Sequence, residues 1–199
     1  MRIIDKIKIL NRSTVIMRII LLFMAFYLVA FPFLPKLEYA VSYFNEEVNP
    51  KNNLPVEVLD ALERGENLLY ISKSQVNRKI IETDNIKNIH EDVWIWPGSK
   101  KPDVGGNTVL LAHRYASIGG NRASTFYNLP EMVSGDKSYV VWDGKIYEYE
   151  VFETFVVDPS HIEILENTEE NILTMFTCTP LWTSKERFVV RSKLVNIWE

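Results

Sequence analysis

The sequence predicts a mostly antiparallel β-barrel preceded by one membrane-spanning helix. Three observations lead there. An uncharged apolar run near the N-terminus follows a basic segment. Short β-branched and aromatic runs separated by turn residues fill the chain from Leu68 onward. Few segments between those runs carry a helical pattern, and short strands joined by turns are the signature of a barrel.

The elements follow in chain order. Residues 1–18 hold Arg2, Lys6, Lys8, Arg12 and Arg18 against Asp5, a net +4, so the remainder carries −8 of the total −4. Residues 19–34 are uncharged, and counting back to Val15 gives 20 residues broken only by Arg18. Twenty helical residues span about 30 Å, one hydrocarbon core. The basic flank places residues 1–18 in the cytoplasm and the bulk of the chain outside. The stretch after the apolar run lacks a small-x-small cleavage site, which favours an uncleaved anchor in the lipid bilayer over a signal peptide. Residues 35–66 read as a stalk or linker, with a short helix opened by Pro55 and stopped by Gly65.

Residues 67–199 form the predicted barrel domain. Its strands are LLYISK, RKIIE, NTVLLA, SYVVWD, KIYEYEVFETFVV, ILTMFTC and RFVVRSKLVNI, the fourth and fifth forming a hairpin at Gly144. Helical pieces are expected near Asp84–His90 and Ala123–Met132. The acidic domain excludes a phosphate-binding surface, so no nucleic-acid partner is expected.

One cysteine, Cys178, is present, so no internal disulfide forms, and no Cys/His cluster has zinc spacing. Residue type alone leaves two readings of Cys178 open: a small buried hydrophobe, or a nucleophile at a strand end before Thr179-Pro180. A thiol nucleophile needs a proton acceptor and an oxyanion partner. His113, closing NTVLLA, is better placed than His90 or His161, though position alone does not decide it. Arg187 opens the last strand nine residues after Cys178, so an antiparallel return would set it beside the thiol. Arg191 lies an even offset away and points to the same face, so periodicity does not separate the two, and a surface salt bridge is the commoner role for either. Thr177 and Trp182 flank the thiol and are candidate substrate-binding residues, Trp182 equally a rim or core aromatic. Trp94 and Trp96 read as packing residues.

Thr174-Met175-Phe176-Thr177-Cys178 resembles the sortase signature Thr-Leu-x-Thr-Cys, with Met175 in place of leucine. Arg187-Phe188-Val189-Val190-Arg191 resembles the closing strand of that family, whose first arginine is the catalytic one. Pro97-Gly98-Ser99 and Gly106-Asn107-Thr108-Val109 leading to His113-Arg114 resemble its histidine segment, and the likeness runs over roughly 68–196. The resemblance implies a closed eight-stranded barrel with short helices. It implies a cysteine transpeptidase with Cys178 as nucleophile, His113 as acid/base and Arg187 as oxyanion stabiliser, needing no metal or organic cofactor. The partners it implies are surface proteins bearing a Leu-Pro-x-Thr-Gly-like sorting signal and an amine acceptor of the cell envelope, such as a peptidoglycan precursor. With no Asp-Pro-aromatic lid before the barrel and no second apolar span after it, the class D or E groups are the better match. Two rivals remain: a thiol hydrolase that releases surface proteins, and a non-catalytic binding module on the same barrel.

Overall fold

The computed structural model describes residues 3–30, 48–49, 53–82, 92–114, 125–181 and 183–199. Two compact units result, Met1–Phe44 and Asn45–Glu199. In the first, helix α1 runs unbroken over Ile3–Ala30 and so takes in the basic segment as well as most of the apolar run. Its side chains Leu22, Phe23 and Phe26 are each about 70% exposed, an apolar surface with nothing described against it. Among the described residues no helix is long and apolar enough to cross a membrane. Residues 31–34 of the expected span lie outside them.

The second unit is a closed barrel of eight strands: β1 (Leu68–Ile71), β2 (Val76–Ile81), β3 (Val93–Ile95), β4 (Asn107–Leu111), β5 (Lys137–Trp142), β6 (Lys145–Val157), β7 (Ile172–Thr179) and β8 (Glu186–Trp198). Around the barrel the order is β1-β2-β3-β4-β7-β8-β6-β5, and β5 pairs back with β1. The barrel is mostly antiparallel, as expected, and two of its seams, β2–β3 and β4–β7, are parallel. Parallel neighbours need a long crossover, so no local turn in the sequence announces them. The β5–β6 hairpin turns at Asp143 and Gly144, both at positive φ (47° and 75°), as a two-residue hairpin turn of the primed type requires.

Leu69, Ile71, Leu110, Val140, Leu173, Met175 and Val190, all fully buried, fill the barrel interior. Helix α2 (Val56–Glu63), the short helix expected in the linker, packs Val58 and Ala61 with no exposure against Leu68, Tyr139, Val141 and Ile146. Strand β3 has no counterpart in the sequence reading. Of the helix expected over Ala123–Met132, residues 125–132 hold only turns and one 3-10 turn, Leu129–Glu131, with Pro130 in it. The helix expected at Asp84–His90 lies outside the described residues. Beneath the mouth of the barrel a third apolar cluster gathers Val109, Ile164, Phe176 and Val189, with Trp96 and Leu165 packed against it.

Candidate active site

The parallel seam between β4 and β7 sets the site. Its register pairs Asn107 with Ile172 and Leu111 with Phe176, a constant offset of 65 residues. Carried two residues past Leu111, that offset brings His113 level with Cys178. Side chains continue the ladder where the backbone pairing ends. Thr177 Oγ1 donates to the carbonyl of Ala112 at 2.9 Å, and Arg114 Nη1 donates to Thr179 Oγ1 at 2.9 Å. The chain returning at Phe126 donates its N–H to the His113 carbonyl at 3.0 Å, fixing the histidine's backbone from the other side.

On the opposite edge of β7, the antiparallel register with β8 places Arg187 directly across from Cys178. The connection is folded by a turn in which Thr183 donates from both N–H and hydroxyl to the Pro180 carbonyl, at 3.0 and 2.9 Å. Arg187 Nη1 donates to the carbonyls of Ser184 (3.1 Å) and Glu186 (3.0 Å). A guanidinium has five N–H donors, so this anchoring leaves others for a ligand.

Geometry also separates the two arginines that strand periodicity could not. Arg191 lies four residues further along β8, about 13 Å at strand rise, opposite Thr174. It donates to Glu153 Oε1 at 3.3 Å and sits over the Phe155 ring at 5.4 Å. A site on Arg191 is thereby already filled by its own neighbours.

Cys178, His113 and Arg187 line one cavity of about 370 Å3. Cys178 and Arg187 are half-buried, and His113 is exposed. The floor is apolar: Leu111, Phe176 and Trp96, the last two with ring centroids 6.2 Å apart. The segment between β6 and β7 supplies the remaining wall through Pro159, His161, Ile162, Ile164 and Leu165. Ile162–Leu165 form a 3-10 turn. Its carbonyls are held from below by Asn107, which is 1% exposed. The Asn107 amide donates to Ile164 O (3.0 Å) and Glu166 O (2.8 Å), and its oxygen accepts from Thr174 Oγ1 (2.7 Å). Gly106, at φ +85°, leaves room there for Asn167, whose Oδ1 accepts the Asn107 N–H at 3.2 Å.

The sequence-derived candidates divide accordingly. His113, Cys178 and Arg187 converge. Thr177 borders the cavity but is 2% exposed, with its hydroxyl spent on Ala112. Trp182 and His90 lie outside the described residues. Sequence reasoning passed over His161 and Trp96, which both face the cavity. Trp96 carried one usable signal, since it stands two residues before Gly98 at the end of an apolar run.

Two charges outside that trio bear on the site. Hydrogen bonds from the hydroxyl and N–H of Ser160 hold the exposed Asp158 carboxyl below the usual carboxylate range, with smaller pulls from His161 and Arg187. Burial lowers the pKa of Arg114, and the charges of Tyr127, Glu131 and Cys178 act against that fall.

The arrangement offers a thiol, an imidazole and a guanidinium at the mouth of an apolar groove, which is the equipment of acyl transfer through a thioester. The family profile described as Sortase domain matches residues 69–195. Sortase A of Streptococcus agalactiae serotype III (strain NEM316) is 30% identical over 99 residues, 48% of this chain and 40% of that protein. Sortase SrtE2 of Streptomyces coelicolor is 30% identical over 106 residues, covering 47% and 39%. The matched segment thus spans about two-fifths of these curated relatives. Among solved structures, a Clostridium perfringens Sortase D5 transpeptidase superposes with TM-score 0.57 at 25% identity, over 71% of this chain and 88% of that one. Sortase C1 of GBS Pilus Island 1 gives TM-score 0.59 at 29% identity, over 67% and 66%. With its closed barrel and a family match across nearly all of it, this chain belongs to the sortase family.

Proposed function

We propose that the protein is a membrane-anchored cysteine transpeptidase that cuts a Leu-Pro-x-Thr-Gly-like sorting signal after threonine and joins the released carboxyl end to an amine of the cell envelope. The observation that carries this reading is convergence: His113, just past the end of β4, and Cys178, on the parallel neighbour β7, line one cavity with Arg187, which faces Cys178 across the next seam.

The chemistry runs in two balanced halves. The Cys178 thiol gives its proton to His113 as its sulfur adds to the threonine carbonyl carbon, and the carbonyl oxygen takes up the negative charge. An N–H of Arg187 donates to that oxygen. The carbon–nitrogen bond breaks as the His113 imidazolium protonates the leaving amine, and a thioester remains. An incoming amine, deprotonated by His113, adds to the thioester carbonyl, and the carbon–sulfur bond breaks as that proton passes from His113 to the sulfur, restoring the thiol. The apolar walls at Ile164, Leu165 and Phe176 suit an extended peptide with an aliphatic side chain.

The anchor rests on the uncharged run at 19–34, its basic flank and the exposed apolar side chains of α1. The expected topology puts the barrel outside the cytoplasm. Protease added to intact cells should digest the barrel, and protection of the barrel would reverse this topology.

The activity is tested with the full-length protein in mild detergent, a library of sorting-signal-like peptides and an excess of amine, with products read by mass spectrometry beside Cys178→Ala. Cleavage after threonine with the amine captured, lost in the variant, is the expected result. Cleavage with water alone would establish a hydrolase instead. No cleavage and no thioester adduct across the library would leave a binding module.

A further inference from the structure

Arg114 is unused by the scheme above, yet it stands beside His113 and reaches across to the residue beside Cys178. Backbone pairing between β4 and β7 stops at Leu111–Phe176. Beyond that point His113 and Cys178 are held level by two side-chain bridges at the same 65-residue offset, one on either side of them. Thr177 to Ala112 is the inner bridge and Arg114 to Thr179 the outer one. The inner bridge lies in the buried floor. The outer one lies at the mouth, where β4 has ended and no β4–β7 backbone pairing remains, while β7 stays paired with β8 through Thr179. Arg114 is half-buried, and its guanidinium is bonded to the residue that follows the thiol. A hydrogen bond from a charged donor is about twice as strong as a neutral one, which suits a strap spanning two strand ends.

We propose that Arg114 is a positioning residue, whose bond to Thr179 straps the ends of β4 and β7 together and so holds His113 and Cys178 in register during acyl transfer. This rests on the function proposed above. A strap of this kind acts on the reacting pair and not on the groove that receives the peptide, so its loss lowers kcat and leaves KM nearly unchanged.

The test compares full-length Arg114→Gln, Arg114→Lys, Thr179→Val and the Arg114→Gln/Thr179→Val double variant with the wild type. Transfer kinetics are read together with hydrogen exchange of the backbone at residues 112–114 and 177–179. Arg114→Gln should lower kcat roughly 10- to 100-fold, the range of a lost charged hydrogen bond, with KM within about threefold. Thr179→Val, which removes the acceptor and keeps the shape, should move kcat in the same direction. The double variant should be no worse than Arg114→Gln alone, because both break one bond. Arg114→Lys should recover part of the loss. Wild-type kcat in either single variant, multiplicative losses in the double, or a rise in KM alone would overturn the proposal. Should Arg114→Gln fail to fold, Thr179→Val and Arg114→Lys carry the same comparison. If the wild type transfers no peptide, the functional reading falls by itself, and the strap is judged on exchange. Faster exchange of both segments in both single variants supports it, and unchanged exchange refutes it.

Discussion

Replacing Asn107 by alanine should loosen the groove wall before it touches the chemistry. The side chain makes three hydrogen bonds in a space almost closed to water: to Ile164 O at 3.0 Å, to Glu166 O at 2.8 Å, and from Thr174 Oγ1 at 2.7 Å. A typical intramolecular bond contributes about 1 kcal/mol net, and a buried group left without a partner costs about 1–3 kcal/mol. Thr174 is fully buried, so its hydroxyl becomes such a group. The expected destabilisation is about 3–5 kcal/mol. For a domain of this size each kcal/mol lowers Tm by about 2–4 °C, so a fall of about 6 °C or more is expected by calorimetry. Ile164 and Leu165, held by these bonds, border the cavity. In peptide-transfer assays KM should therefore rise several-fold while kcat falls less. Thr174→Val removes one of the three bonds and should cost about 1 kcal/mol, with part of its effect absent in the Asn107→Ala background. A Tm within 2 °C of wild type together with an unchanged KM would refute the claim that Asn107 supports the wall.

Gly106→Ala should lower Tm by several degrees. A Cβ there collides with Asn167 Oδ1 and comes within 3.1 Å of Lys100 Cγ, on a backbone at φ +85° that disfavours any L side chain. Arg187→Lys keeps the charge but not the fork, and should lower kcat by about 10²-fold or more, as loss of an oxyanion donor does. Wild-type kcat in that variant would remove Arg187 from the mechanism. In the alkaline range the folded protein should lose stability above about pH 10. Burial raises the phenol pKa of Tyr149, and the bond to Glu148 raises that of Lys137. A raised pKa means stability that is complete below the unfolded value and is lost as pH climbs towards the folded one. Tyr149→Phe should flatten that decline in urea melts from pH 8 to 11. At neutral pH it should cost about 1 kcal/mol for the bond to Asn171 Oδ1 at 3.2 Å.

What the sequence disclosed follows from distance along the chain. Cys178 and Arg187 are nine residues apart, so a single antiparallel return brings them together, and that return was legible from two apolar runs and a Thr-Pro break. The β5–β6 hairpin was equally legible, since Asp143-Gly144 names its own turn. His113 was preferred only for ending a strand. The parallel seam that sets it level with Cys178 joins segments 65 residues apart, and no local pattern encodes which strands will be neighbours. Strand β3 escaped notice because three residues are too few to show alternation, and its pairing with β2 is again parallel. His161 joined the site for the same reason. It lies in a polar stretch, and only the Asn107 contacts beneath that stretch turn it into a wall.

The parallel seam also dictates when the site comes into being. Hairpins such as β5–β6 and β7–β8 can form from contiguous chain, with little entropy lost in closing their short loops. The β4–β7 pairing must close a loop of more than sixty residues, and contacts so distant in sequence form slowly. Contact order alone therefore predicts that the thiol meets Arg187 before His113. On the proposed mechanism, a chain whose barrel has not yet shut would hold the thiol without its acid/base partner and transfer no peptide.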